Sequence, residues 1–304
     1  MEIINLNKEN FSKEPLAIAL GYFDGVHLGH QAVILNAVRY SRKHQIKSAV
    51  ITFSTNPKRF FNKVGSTDLL TPKEEKIKLF QKLGVDQLII LPFNKQLSKM
   101  MPDEFIKEYL IAQGVCYIST GFDFRFGRHG AGDVTVLKKY KEVFKLQTTP
   151  KLEFGEMKIG TTQIREYLTQ GAVEKAAQML GRPYSLTGKV VKGNQRGSEI
   201  GFPTANIRLD EDFVVPQKGV YAARVHVKNK VYNGMCNIGH NPTFNYSEAV
   251  SIEVNLLDFN EDIYGETVKV EFIKRLRSER RFQSIAELMN QLKSDREAVR
   301  NALG

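Results

Sequence analysis

Two histidines three apart, His27 and His30 in "ALGYFDGVHLGHQAVI" (residues 19–34), stand where an apolar run gives way to a helical pattern. The lead-in "PLAIAL" reads as a buried strand, and "QAVILNAVRYSR" repeats Val33, Ile34, Ala37 and Val38 at helical spacing. The imidazoles therefore fall in the connecting loop and the first helical turn. Free backbone N–H groups and the helix dipole favour a bound anion there, and imidazole donors beside them suit phosphate oxygens. A pair of surface histidines capping a turn would show the same spacing. Gly21, Gly25 and Gly29 favour the phosphate reading, because they let the backbone approach a ligand and turn tightly before the helix. Zinc is disfavoured, since no Cys, Asp or third His follows at ligand spacing.

The elements that must hold such a site alternate up to about residue 150. "KSAVITFS", "DQLIILPF" and "VCYISTGF" read as strands, with "PKEEKIKLFQKLG" and "PDEFIKEYLIAQG" as helices between them. Thr71, Pro72 and Glu74 spell a capping box with proline at the first helical position. This predicts an α/β fold, a doubly wound parallel sheet with helices on both faces and ligands at the carboxyl ends of its strands. The histidine loop is at such an end. A further helix, "QIREYLTQGAVEKAAQML", stops at Gly181 before "RPY", which places a domain boundary between residues 182 and 183. Beyond it, "LTGKVVKG", "GVYAARVHV", "KVYNGMCNIG", "AVSIEVNLLDF" and "TVKVEFI" predict a small antiparallel barrel. The final helix, "SIAELMNQLKSDREAVRNAL", opens with a Ser284/Glu287 capping box. Its apolar face of Ile285, Leu288, Met289, Leu292 and Val299 is expected to pack on the barrel.

With 304 residues, the chain can bury two ordinary cores, and 42% hydrophobic with 25% charged residues is a globular composition. The start "MEIINLNKENFSKEP" lacks a signal pattern, and no segment reaches membrane-span length. Cys116 and Cys236 fall in separate apolar segments and read as reduced core thiols, so a cytoplasmic protein is expected. A net charge of +11 permits a nucleic-acid partner and suits anionic small substrates equally. The densest basic run, "KRLRSERR" (274–281), contains a Glu and no interleaved aromatics, so it reads as a solvated basic face; RNA binding is disfavoured.

"GYFDGVHLGH" resembles the HxGH signature of nucleotidylyltransferases. "GFDFRFGRHGAGD" (121–133) and "KIGTTQIREYL" (158–168) resemble later nucleotide-binding motifs of the bacterial bifunctional riboflavin kinase/FAD synthase family. "IGFPTANI" (200–207), "NIGHNPTF" (237–244) and "IEVNLLDFNEDIYGE" (252–266) resemble its kinase module, in the family's order. For the first half, residues 1–182, the resemblance implies AMP transfer from ATP to FMN, giving FAD and pyrophosphate. It implies ATP phosphates held by His27 and His30 and, from the opposite side, by Thr162 and Arg165 at the start of a helix beginning near Gln163. Thr162 would also suit a simple helix cap. Gly21, Phe23, Gly25, Gly29, Asp123 and Arg125 would complete the nucleotide site, although Asp123 alone could equally be a turn acid serving local amides.

For residues 183–304 the resemblance implies phosphorylation of the riboflavin 5′-hydroxyl by Mg²⁺ and ATP. Gly201 and Pro203 would shape the ATP loop. Thr204 and Asn206, two apart on an extended segment, would offer neutral oxygens to magnesium from one side. Glu253 matches the family's general base, and strand alternation places it with Ser251 and Asn255 opposite Val250, Ile252, Val254 and Leu256. Asn255 stands where the family often has His, a change expected to be tolerated. The first half departs from the pattern more. "TFSTNP" has Asn56 where the family's TFxPHP has His, and "IGTTQIR" has Gly160 and Gln163 where ISSTRIR has Ser and Arg. Such losses should weaken phosphate contacts worth roughly 1.5–3 kcal/mol each. The sequence thus predicts an enzyme making FMN and then FAD, with riboflavin, FMN and ATP as partners, no membrane, and a homo-oligomer permitted. The alternatives are a riboflavin kinase with a weakened or inactive adenylyltransferase half, and a flavin- or RNA-responsive binding protein on the same fold.

Overall fold

Apolar runs of Val, Ile, Leu and Ala dominate the first half. The computed structural model, which describes residues 1–6, 13–60, 68–193, 196–240 and 250–304, joins them in a parallel sheet. Its strands are β1 (Glu2–Asn5), β2 (Leu16–Leu20), β3 (Lys47–Phe53), β4 (Gln87–Leu91), β5 (Val115–Gly121) and β6 (Lys145–Thr149). Their order is β1-β4-β3-β2-β5-β6, every pairing parallel. Alternate side chains build a core on each face. Ala17, Ala19, Val50 and Tyr117 pack with Val33, Ile34 and Ala37 of the helix Leu28–His44. Ile18, Leu20, Ile51 and Ile118 pack with Phe105, Ile106 and Leu137 on the opposite side. The strand order reverses direction at β2 and β5, and a ligand crevice forms at the carboxyl ends beside such a switch point. β1 and β6 are the edges, and "EIIN" and "KLQTT" lack the apolar run of a strand covered on both faces, so the sequence pattern misses them.

Two compact units divide the chain: Met1–Thr67 with Lys73–Gly160, and Asp68–Pro72 with Thr161–Gly304. A hairpin of β7 (Glu153–Phe154) and β8 (Met157–Lys158) closes the first. In the second, the single helix expected before Gly181 is two, Thr161–Thr169 and Val173–Leu180. They break at Gly171, whose φ of +75° a β-carbon would oppose, and the Arg275 side chain fills the space that carbon would need. Thr71, expected to cap the helix Lys73–Lys82, accepts a hydrogen bond from Arg182 Nη2 at 3.0 Å.

A closed antiparallel barrel follows, built from β9 (Tyr184–Val191), β10 (Ala205–Leu209), β11 (Gly219–Val227), β12 (Lys230–His240), β13 (Val250–Leu256) and β14 (Thr267–Arg277). The order around it is β10-β13-β12-β11-β14-β9. It has one strand more than expected, because β10 is five residues long and only partly apolar. Tyr221, Cys236 and Val254 share one face by register and are fully buried, and Phe272 packs edge-on against Tyr221. On the other face, Val220, Ala222 and Met235 form a cluster with Val299 and Leu292 of the helix Ile285–Leu303.

Ser284 caps that helix, accepting from Glu287 N at 3.1 Å, as the capping box predicts. Ile285, assigned to the packed face, is instead 66% exposed: it lies in the first turn, ahead of the residues that reach the barrel. The basic run before the helix is only partly a solvated face. Arg277 grips the buried Asp295 through three hydrogen bonds of 2.8–3.0 Å, and Arg275 Nη2 donates to the Lys218 carbonyl at 2.9 Å. Asp295→Ala strands a guanidinium that is one-fifth exposed. Urea unfolding should show the barrel unit losing about 2–4 kcal/mol, somewhat below a fully buried pair.

Candidate active sites

The carboxyl end of β2 runs into the histidine loop, which turns sharply through left-handed backbone at Phe23 (φ +55°), Gly25 (+83°) and Val26 (+41°). Left-handed conformation in a β-branched residue is an outlier of the kind that gathers at binding sites. His27 is buried and caps the helix Leu28–His44, its Nδ1 accepting from the His30 N–H at 3.2 Å. An accepting Nδ1 puts the ring proton on Nε2. The two imidazoles stack with centroids 3.6 Å apart, and Phe23 meets His30 edge-on at 5.3 Å. Burial first, then His27 and Lys76 nearby, holds His30 well below the ordinary histidine range, so it is neutral at neutral pH. Its Nδ1 is buried without a hydrogen-bond partner among the described residues.

The glycines have an explanation the sequence did not offer. A β-carbon at Gly21 would press on the Phe23 ring at 3.0 Å, and one at Gly29 on the His27 ring at 3.1 Å. They make room for the site's own rings, while Gly25 takes the turn. Lys76, not singled out in the sequence, donates to the Tyr22 carbonyl at 3.2 Å and lies 4.3 Å from that ring's centroid. It adds a cation to the loop.

β5 neighbours β2, and the loop leaving it holds Asp123 and Arg125. Asp123 pairs with Lys158, whose ammonium also lies 4.7 Å over the Phe122 ring. Arg125 pairs with Asp133 at 3.1 Å, and Asp133 caps the helix Val134–Lys138. Asn56, half-buried, follows the carboxyl end of β3. The helix expected to begin near Gln163 starts at Thr161, so Thr162 is an exposed first-turn residue rather than a cap, and Arg165 is half-buried. Both belong to the second compact unit.

On the barrel, antiparallel register sets Glu253 of β13 directly opposite Asn206 of β10 on one side and Asn237 of β12 on the other. Burial raises the Glu253 carboxyl above its usual range. Thr204 is half-buried just before β10; Pro203 is exposed, and Gly201 has φ +79° with open space around it. Asn255, expected to be a tolerated change, is buried and donates to the Pro203 carbonyl at 2.7 Å. Asn255→Ala would orphan that oxygen, and thermal or urea unfolding should register a loss of about 1–3 kcal/mol. Residues 241–244 of "NIGHNPTF" lie outside the described residues. The Thr204 hydroxyl and Asn206 amide are hard neutral oxygen donors, and Gly193 and Gly197 leave the space that β-carbons would take from the Asn206 amide and Phe202 carbonyl. This donor set fits magnesium, which takes few protein ligands together with phosphate oxygens.

The chain matches the FAD synthetase family over residues 9–163 and the riboflavin kinase family over residues 180–303. The bifunctional riboflavin kinase/FMN adenylyltransferase of Bacillus subtilis is 42% identical, covering 97% of this chain and 95% of its own. The chain belongs to this bifunctional family. The Listeria monocytogenes member is 40% identical, over 93% of this chain and 91% of its own. A crystal structure described as a macrolide-efflux protein from Streptococcus pneumoniae is similar over 99% of both chains, with TM-score 0.91 and 34% identity. Its described activity differs from those of the curated relatives, and among the described residues here no helix is long and apolar enough to cross a membrane. In this bifunctional frame the positions missed in the sequence, Lys76 and Asn237, become visible only through contacts. Cross-strand register and a lysine reaching back to a loop carbonyl have no spacing signature.

Proposed function

We infer that the chain phosphorylates riboflavin to FMN and then adenylylates FMN to FAD, with ATP as the donor in both steps. The observation that carries this is full-length similarity to bifunctional relatives, coupled to two separate constellations, a histidine loop at the sheet's switch point and a carboxylate flanked by Asn206 and Asn237 on the barrel. We assign adenylylation to residues 1–182 and phosphorylation to 183–304, and a cytoplasmic setting in keeping with two free cysteines.

In the kinase step, Glu253 takes the proton of the riboflavin 5′-hydroxyl while that oxygen attacks the γ-phosphorus and ADP departs. Burial, which raises its pKa, strengthens the ionised carboxylate as a base. Gly201 and Pro203 shape the loop on which Thr204 sits, and the Asn255 bond to Pro203 fixes that loop. Magnesium bound at Thr204 and Asn206 would neutralise phosphate charge. In the adenylyl step, an FMN phosphate oxygen attacks the α-phosphorus and pyrophosphate leaves. His27, His30 and the N-terminus of a 17-residue helix line the phosphate site and stabilise its charge, with Gly21, Phe23, Gly25 and Gly29 holding them in place and Asp123 and Arg125 lining the nucleotide. Incubation with riboflavin, ATP and Mg²⁺ followed by chromatography tests this. FMN and FAD together are expected; FMN alone would leave a kinase with an inactive first half, and neither product would point to a binding protein.

A further inference from the structure

Lys158 is the one cation that the hairpin β7–β8 delivers to the loop leaving β5, through its contacts with Asp123 and the Phe122 ring. Its backbone neighbour runs beside the histidine loop: the Ile159 carbonyl oxygen is 4.0 Å from where a β-carbon at Gly29 would sit, in the first turn of the helix Leu28–His44. The backbone is anchored there by the Ile159 N–H, which bonds the Leu152 carbonyl at 2.8 Å. The lysine stem also borders the space above Gly160, where its Cε, at 3.9 Å, is the nearest atom to a notional β-carbon. That space is the one a serine would occupy, and Gln163 a few residues on lacks the charge of an arginine. The space at Gly160 therefore lacks a hydroxyl, and the Lys158 side chain borders it.

We propose that Lys158 is a substrate-binding residue of the adenylyl step, leaving Asp123 to bind the β- and γ-phosphates of ATP and the pyrophosphate they become. The proposal rests on the adenylyltransferase reading above. Exchange is cheap, because the Lys158 and Asp123 side chains are 42% and 57% exposed, and an exposed pair of this kind gains little from its contact. A bound polyphosphate carries several negative charges and outcompetes one carboxylate. The lysine enters no covalent step. It neutralises charge as the FMN phosphate oxygen bonds the α-phosphorus and the bond from that phosphorus to the pyrophosphate oxygen breaks.

Inorganic pyrophosphate is the probe, since it is a product of this half-reaction alone. In the full-length protein, Lys158→Ala should weaken pyrophosphate binding by calorimetry about tenfold and raise the KM for ATP in FAD formation similarly, with riboflavin phosphorylation unchanged as the folding control. Lys158→Arg should retain most of the affinity. Unchanged pyrophosphate affinity in Lys158→Ala would overturn the proposal, as would an equal loss in Lys158→Arg, which would make the lysine's role structural rather than one of charge. A wild-type protein that binds pyrophosphate but forms no FAD would instead overturn the adenylyltransferase reading.

Discussion

Glu253→Gln should lower riboflavin phosphorylation by about 100-fold or more while leaving FAD formation from supplied FMN intact. The amide preserves shape and hydrogen bonding to neighbours but cannot accept the proton of the attacking hydroxyl, and positioned general bases contribute about 10²–10⁴-fold. Measured kcat for FMN formation decides it: a variant near wild type would reduce Glu253 to a positioning role. The pH profile adds a second readout. Burial raises the folded carboxyl above the ordinary glutamate range, and the base works only when ionised. Activity should therefore fall as pH drops through that raised value, earlier than for an unperturbed glutamate, and the glutamine variant should lose this acid limb.

Changing His27 and His30 together to Ala should cut FAD formation from FMN by about 10²–10⁴-fold, with riboflavin phosphorylation largely retained. The magnitude follows from two donors to phosphate worth roughly 1.5–3 kcal/mol each. His27 also caps its helix, so the variant should lose about 1 kcal/mol of stability. Assaying both half-reactions on the same folded preparation separates the effects. Equal loss of both activities would contradict two independent sites.

The legible parts of this fold were those whose physics is local. β2, β3, β4 and β5 announce themselves because a strand covered on both faces must be apolar throughout, and the helix Leu28–His44 because its apolar residues recur at its own period. β1, β6 and β10 escape notice because exposed or short strands need no such run. Gly171 was read as an interior helix residue, though its left-handed backbone ends one helix; the reason, Arg275 packed against it, is 104 positions away in the chain. His27, His30 and Glu253 could be found from motif and alternation. Asn237 and Asn206 are joined to Glu253 only by strand register, which exists after folding, and the bond from Asn255 to Pro203 spans 52 positions.

Closure of the barrel depends on its shortest strand. β10 meets β13 through two residue pairs, Ala205 with Val254 and Asn206 with Glu253, and meets β9 through four. Opening at this seam costs less than opening anywhere among β11, β12 and β14, whose pairings are far longer. When it opens, β9 and β13 each present a bare edge, the template on which chains add to one another. Nucleotide bound across the seam would hold it shut. The strand that carries Asn206, the residue proposed to hold magnesium, is thus also the one on which closure of the barrel turns.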